Sequence, residues 1–326
     1  MKAADQALRI GLLRTMLTIR GYEERLAALA SPSTPGTCTS VGQEACAAGV
    51  VAALTSADRI LSNHRSAGHL LARGAEPERL MAEVLGRASG YCGGKSGSLH
   101  IAVRELGVVL TSTIVGGELA MAPGVALAQK MGAPGCEPGG ITAVFFGDGA
   151  ACEGIFHEAV NLAVTWQLPL LFVCENNQWQ AYVRRDETMP MRDVADWVIG
   201  HGLQARVVDG NDVDAVHAAA SELGAAIRRD GRPRFLELTT YRQRGHFEPD
   251  DMAYVDQSEH ALWLARDPLR RMSERLQSEG LLDPEALAAL QAEVGQRLDA
   301  ALAAAQAAPW PEAARVLSSD VYARSE

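Results

Sequence analysis

Long hydrophobic runs are missing from this chain of 326 residues, and none reaches the length that spans a bilayer, so no membrane partner is expected. An excess of positive charge is missing too. Thirty Lys and Arg stand against 40 Asp and Glu, a net charge of −10, which argues against nucleic acid as a partner. The first residues, Met1-Lys2-Ala3-Ala4-Asp5, lack the apolar stretch and cleavage site of a secretory signal. The six cysteines, Cys38, Cys46, Cys92, Cys136, Cys152 and Cys174, form no Cys-x-x-Cys pair and no zinc quartet. Reduced thiols and a cytoplasmic location are therefore expected. No Gly-x-Gly-x-x-Gly opens a helix after a strand, which excludes a dinucleotide-binding crevice of that kind. Gly90, Gly94, Lys95 and Ser96 imitate a phosphate loop, but their glycines stand one position too close and a helical pattern precedes them.

What is present is an ordinary globular balance, 48% hydrophobic and 21% charged residues. Four apolar runs read as strands: Ile141 to Phe146, Leu168 to Cys174, Ala205 to Val208 and Phe235 to Thr240. Asp58 to Leu61 reads as a shorter one. Helical patterns separate them: Leu8 to Leu29, ending in the breaker cluster from Ser31 to Gly36, then Gln43 to Leu54, Glu76 to Leu85, Glu118 to Met131, Ala151 to Trp166 and Val213 to Arg228. Gly86 to Gly97 reads as a loop. The alternation predicts an α/β fold, a doubly wound, mainly parallel sheet flanked by helices, over residues 1–266. Residues 267–326 read as a helical C-terminal region, in which Leu287, Leu290, Val294, Leu298 and Leu302 share one face. That face packs either on the same domain or on a partner subunit.

The richest chemistry lies at two turns 29 positions apart. Gly147-Asp148-Gly149 follows one predicted strand and Asn176-Asn177 follows the next. A parallel connection brings both turns to one edge of the sheet. The glycines let backbone approach a ligand closely, and the helix that follows presents free N–H groups to an anion. A carboxylate and an amide oxygen together suit a small hard cation such as Mg²⁺ that holds a diphosphate.

These turns and their surroundings resemble a known family. The run Gly147 to Gly154, Asn161, Leu168-Pro169 and Cys174-Glu175-Asn176-Asn177 are similar to the thiamine-diphosphate fold, and more narrowly to the α subunits of 2-oxo acid and acetoin dehydrogenase E1 components. Gly42-Gln43-Glu44-Ala45, His64-Arg65, Gly68-His69, Gly94 to His100, Ile114 to Gly117, Asp209 to Asp212 and Tyr241 to Glu248 carry the same resemblance. It implies thiamine diphosphate and Mg²⁺ as cofactors, with Asp148, the Asn177 side chain and the Trp179 carbonyl as metal ligands. It further implies that Arg65 and His246 face the diphosphate, that Gly149 and Ala150 offer it backbone N–H groups, and that Thr113 and Val115 lie at the aminopyrimidine turn. His64 stands where the family commonly has Tyr, and His246 and His100 are the candidate catalytic residues. His69 and His100 read equally as core hydrogen-bonding groups or as channel lining, and Glu44 as a structural buried acid with a partner.

The resemblance also implies a separate β subunit in an α2β2 heterotetramer, a lipoyl-bearing acyltransferase as acceptor, and decarboxylation of a 2-oxo acid. Acetoin cleavage and an acyloin-type carboligation without lipoyl transfer are the alternatives. Cys38 and Ala67 stand where pyruvate and acetoin enzymes commonly carry histidines, so the substrate is assigned only as a 2-oxo acid or an acyloin. Phe247 occupies the place of a serine that is phosphorylated in some relatives.

Overall fold

The computed structural model describes residues 2–30 and 36–318, so the breaker residues 31–35 lie outside it. Among the described residues eight strands are formed: β1 (Arg59–Ser62), β2 (Val108–Thr111), β3 (Thr142–Gly147), β4 (Leu170–Asn176), β5 (Trp179–Gln180), β6 (Val183–Arg184), β7 (Ala205–Asp209) and β8 (Arg234–Thr239). Six of them make one parallel sheet in the order β2-β1-β3-β4-β8-β7. β5 and β6 form a small antiparallel hairpin just beyond β4. From β1 the order runs to β2 on one side and to β3 on the other. That reversal between neighbouring strands opens a crevice at their carboxyl ends.

The central strands read as continuous apolar runs because both faces are covered. Every residue of β4 is buried. On one face Val144, Phe146 and Phe172 pack under the helices Gly117–Met131 and Gly154–Trp166, through Leu119, Ala122, Phe156 and Val160. On the other, Phe145, Leu171 and Val173 meet Val50, Val216 and Leu223 from the helices Glu44–Ala52 and Val213–Asp230. The small residues of Glu44–Ala52 permit close packing: a side-chain carbon added at Gly49 would stand 2.7 Å from Val216.

A third layer joins the two ends of the chain. Leu13 and Met16 of the helix Lys2–Ala28 share a core with Leu290, Val294 and Leu298 of the helix Pro284–Ala307. The apolar face of that C-terminal helix thus lies on this chain's own N-terminal helix. Asp267 and Asp283 cap the helices Pro268–Ser278 and Pro284–Ala307, each followed by proline at the first helical position.

The expected helix from Ala151 to Trp166 is interrupted. One turn, Asp148–Ala151, follows β3, and extended backbone at Glu153 precedes Gly154–Trp166. The sequence reading also missed β2, the β5–β6 hairpin and the helix Ala67–Ala72. All are short, and their few residues carry too little periodicity to register.

Candidate active site

At the carboxyl edge of the sheet lies a cavity of about 310 Å³. Five strand ends build its wall. β1 leads into Asn63, His64 and Arg65, and β2 into Ser112, Val115 and Gly116. β3 ends at Gly147 before Asp148, Gly149 and Ala150. β4 leads to Asn177 and Trp179, and β8 to Arg242 and His246. Parallel strands all end on one side, which is why segments from residue 63 to residue 246 converge. The β3–β4 register pairs Gly147 with Glu175, so Asp148 and Asn177 follow adjacent strand ends and face one space.

Asp148 is 1% exposed, and neither carboxylate oxygen has a hydrogen-bond partner. Burial pushes its carboxyl up to about 7, against the pull of nearby backbone amides, Arg185 and Arg242. A buried carboxylate in this condition is costly unless a cation joins it. The Asn177 side-chain oxygen accepts from the Trp179 amide at 3.1 Å, and its nitrogen donates to Gln43 at 3.2 Å. These bonds aim the side chain and leave the oxygen a second lone pair.

Opposite charge gathers beside it. Arg65 is buried and donates to the Thr39 carbonyl at 2.7 Å and the His246 carbonyl at 2.8 Å. Arg242, also buried, donates to the Ala181 carbonyl and to the Tyr254 hydroxyl, both at 2.8 Å. Both guanidiniums reach His246 Nδ1, at 3.2 and 3.4 Å. Burial, then these two cations, holds His246 down to about 4. Burial, Arg65, His246 and Arg242 hold His64 down to about 3. The imidazoles are therefore neutral hydrogen-bonding groups, and the positive charge belongs to the arginines. Two buried guanidiniums without a carboxylate between them form a seat for a polyanion.

Gly149, Ala150, Val115 and Trp179 line this cavity, as do His64, Arg65 and His246. Thr113 and His100 are not among its lining residues. His100 is exposed and meets the Thr113 hydroxyl at 3.1 Å. His69 is buried between the Ser62 hydroxyl at 2.8 Å and Glu175 at 3.0 Å, so it is a core hydrogen-bonding group behind the wall. Glu44 is likewise internal and pairs with Arg20. Cys38 and Ala67 line a second, apolar pocket of about 10 Å³, which shares His64 with the main cavity. The sequence reading overlooked Gln43, Asn63, Glu118 and Glu175 as lining residues, whereas the positively charged loop around Arg242, Arg244 and His246 was expected to help hold the cofactor, and Arg242 does line the cavity. Arg242 stood within a motif already singled out, and Glu118 is the one acid in a helix of mostly small and apolar residues.

The sequence model of one family, described as dehydrogenase E1 component, matches residues 13–314. The chain belongs to the dehydrogenase E1 component family. Among individual E1-type relatives, the α subunit of acetoin:2,6-dichlorophenolindophenol oxidoreductase from Bacillus subtilis (strain 168) is 35% identical, over 97% of this chain and 93% of its own length. The protein of the same name from Cupriavidus necator is 36% identical, over 98% and 95%. The pyruvate dehydrogenase E1 component subunit α of Zymomonas mobilis is 35% identical, over 94% and 87%. Membership makes this an E1 component of the α type, an oxidoreductase dependent on thiamine diphosphate. The residues present fit that cofactor: an unpartnered buried carboxylate and paired guanidiniums offer a cation and a diphosphate complementary places in one cavity.

Proposed function

We propose that this chain holds the Mg²⁺-diphosphate end of thiamine diphosphate and, with a β subunit in an α2β2 assembly, releases CO₂ from a 2-oxo acid or cleaves an acyloin. Asp148, the Asn177 side-chain oxygen and the Trp179 carbonyl would ligate Mg²⁺, and the diphosphate would supply further oxygens. Arg65 and Arg242 offset the diphosphate charge, His246 adds a neutral hydrogen-bonding group, and the amides of Gly149 and Ala150 contribute at the helix turn. His64 and Val115 line the route toward the ring end. When bound, thiamine diphosphate supplies a carbon nucleophile and stabilises the electron pair left when a bond to the acyl carbon breaks. The chain's own contribution is to bind, orient and keep water away from that centre. A lipoyl-bearing acyltransferase is the proposed acceptor, and transfer to an aldehyde without a lipoyl group is the second reading.

The names of the relatives favour pyruvate or acetoin over a branched 2-oxo acid as the substrate.

The unpartnered carboxylate of Asp148 carries this reading. Its test is titration of the assembled protein with thiamine diphosphate, with and without Mg²⁺. Wild type should bind only with the metal, and Asp148→Ala should not bind at any practical concentration. Unchanged affinity in the variant would refute the assignment.

A further inference from the structure

His246 stands in the cavity wall with most of its hydrogen bonds already assigned. Its amide donates to Asp250 at 2.8 Å, and its carbonyl accepts from Arg65 at 2.8 Å. Its Nδ1 lies 3.2 Å from Arg65 Nη2 and 3.4 Å from Arg242 Nη1. Among the described residues its Nε2 meets no partner, and the residue lines the cavity.

These contacts have a direction. A neutral imidazole carries one proton, on either nitrogen, and the partner of the other nitrogen decides which. A guanidinium has only N–H donors and keeps its charge. Arg65 and Arg242 therefore both donate, and Nδ1 can only accept. A proton on Nδ1 would point at two cations, and a ring turned over would offer them a carbon. Neither arginine is free to swing away. Arg65 is held by the Thr39 carbonyl, and Arg242 by the carbonyls of Arg244 and Ala181 and by the Tyr254 hydroxyl. Asp250 secures the loop by accepting from the Met252 amide and the Tyr254 hydroxyl as well. The single ring proton thus sits on Nε2, on the side that no protein group answers.

We propose that Arg65 and Arg242 fix His246 as the Nε2–H tautomer, so that the ring serves the site as a neutral donor to an anionic oxygen and not as a base. The inference rests on the thiamine-diphosphate reading above and gives His246 its direction within it. The oxygen belongs to the diphosphate or to the carboxylate of a 2-oxo acid, which accept hydrogen bonds in the same way.

Two substitutions separate the ring nitrogens. The amide nitrogen of His246→Gln reaches the place of Nε2–H and restores the donor. His246→Asn keeps an acceptor near the place of Nδ1 and has no donor at Nε2. The assembled enzyme is titrated calorimetrically with thiamine diphosphate and, separately, with inorganic pyrophosphate, both with Mg²⁺, and the KM for pyruvate is measured. His246→Gln should stay within about threefold of wild type, and His246→Asn should lose about 10–100-fold. The same loss for thiamine diphosphate and pyrophosphate puts the oxygen on the diphosphate. Unchanged affinity for both, with the KM for pyruvate raised by that factor, puts it on the substrate. Equal behaviour of the two variants, or a larger loss in His246→Gln, would overturn the inference. ¹⁵N NMR of the histidine-labelled enzyme, with His246→Gln identifying the signal, reads the tautomer in the wild type itself. The proton should be found on Nε2 at pH 7, and a proton on Nδ1 would overturn the inference without recourse to any variant. Failure of the wild type to bind thiamine diphosphate in the presence of Mg²⁺ would instead overturn the parent reading.

Discussion

Arg20→Met tests how the fold holds the small-residue helix in place under the site. Glu44 is fully buried in the first turn of Glu44–Ala52. One carboxylate oxygen accepts from the Gly42 amide at 3.1 Å and the other pairs with Arg20. Arg20 also reaches Asp267, the cap of the helix Pro268–Ser278, at 2.8 Å. One guanidinium thus ties the N-terminal helix to the helix behind the sheet and to the C-terminal layer. Burial pushes Glu44 above the usual carboxylate range against the attraction of Arg20, so its charge depends on that cation. Methionine fills similar volume and removes only the charge and its hydrogen bonds. A buried ion left without its partner costs about 3–5 kcal/mol, and a chain of this size would melt roughly 4–7 °C lower. Urea unfolding at pH 7.5, with the transition slope compared, measures it. Adding Glu44→Gln to Arg20→Met should recover at least half of the loss, because an amide still accepts from Gly42 and carries no charge. A loss below about 1 kcal/mol in the single variant, or no recovery in the double, would refute the reasoning.

Glu83 holds the glycine-rich loop: one oxygen accepts from the amides of Cys92 and Gly94 at 2.7 and 3.0 Å, the other from the Ser96 amide and hydroxyl, both at 2.8 Å. Glu83→Gln turns one acceptor into a donor facing donors, at a cost of about 3 kcal/mol. Hydrogen exchange at Cys92, Gly94 and Ser96 should accelerate, and unchanged protection would count against the role. Glu23 is raised from 4.5 to about 7, mainly by burial, with Ser40 pulling the other way. Because the folded value exceeds the unfolded one, its stabilisation is complete below pH 4.5 and is lost as pH climbs through about 7. The loss amounts to about 3 kcal/mol. Stability of wild type should fall relative to Glu23→Gln across that window, and parallel curves would show that Glu23 does not titrate there.

The strands that carry the site were readable because they are buried on both faces and therefore apolar throughout, as at Ala143 to Phe146 and Leu170 to Cys174. The turns after them were readable because glycine beside an acid, or paired asparagines, has few structural reasons to follow such a strand. β2 and the β5–β6 hairpin were not readable, since two to four residues cannot display a period.

Linear order determined which side chains end up at the carboxyl edge: Arg65, Asp148, Asn177 and His246 each follow a strand of one parallel sheet. Only the tertiary structure decided their electrical state. Arg242 joins Arg65 at His246, His100 turns outward to Thr113, and Glu118 is buried in the wall with its Oε2 unpartnered. The reason is physical. Strand and turn propensities are local and are written in neighbouring residues. Desolvation and charge pairing depend on which distant atoms close over a group, and those distances exist only after the layers have packed.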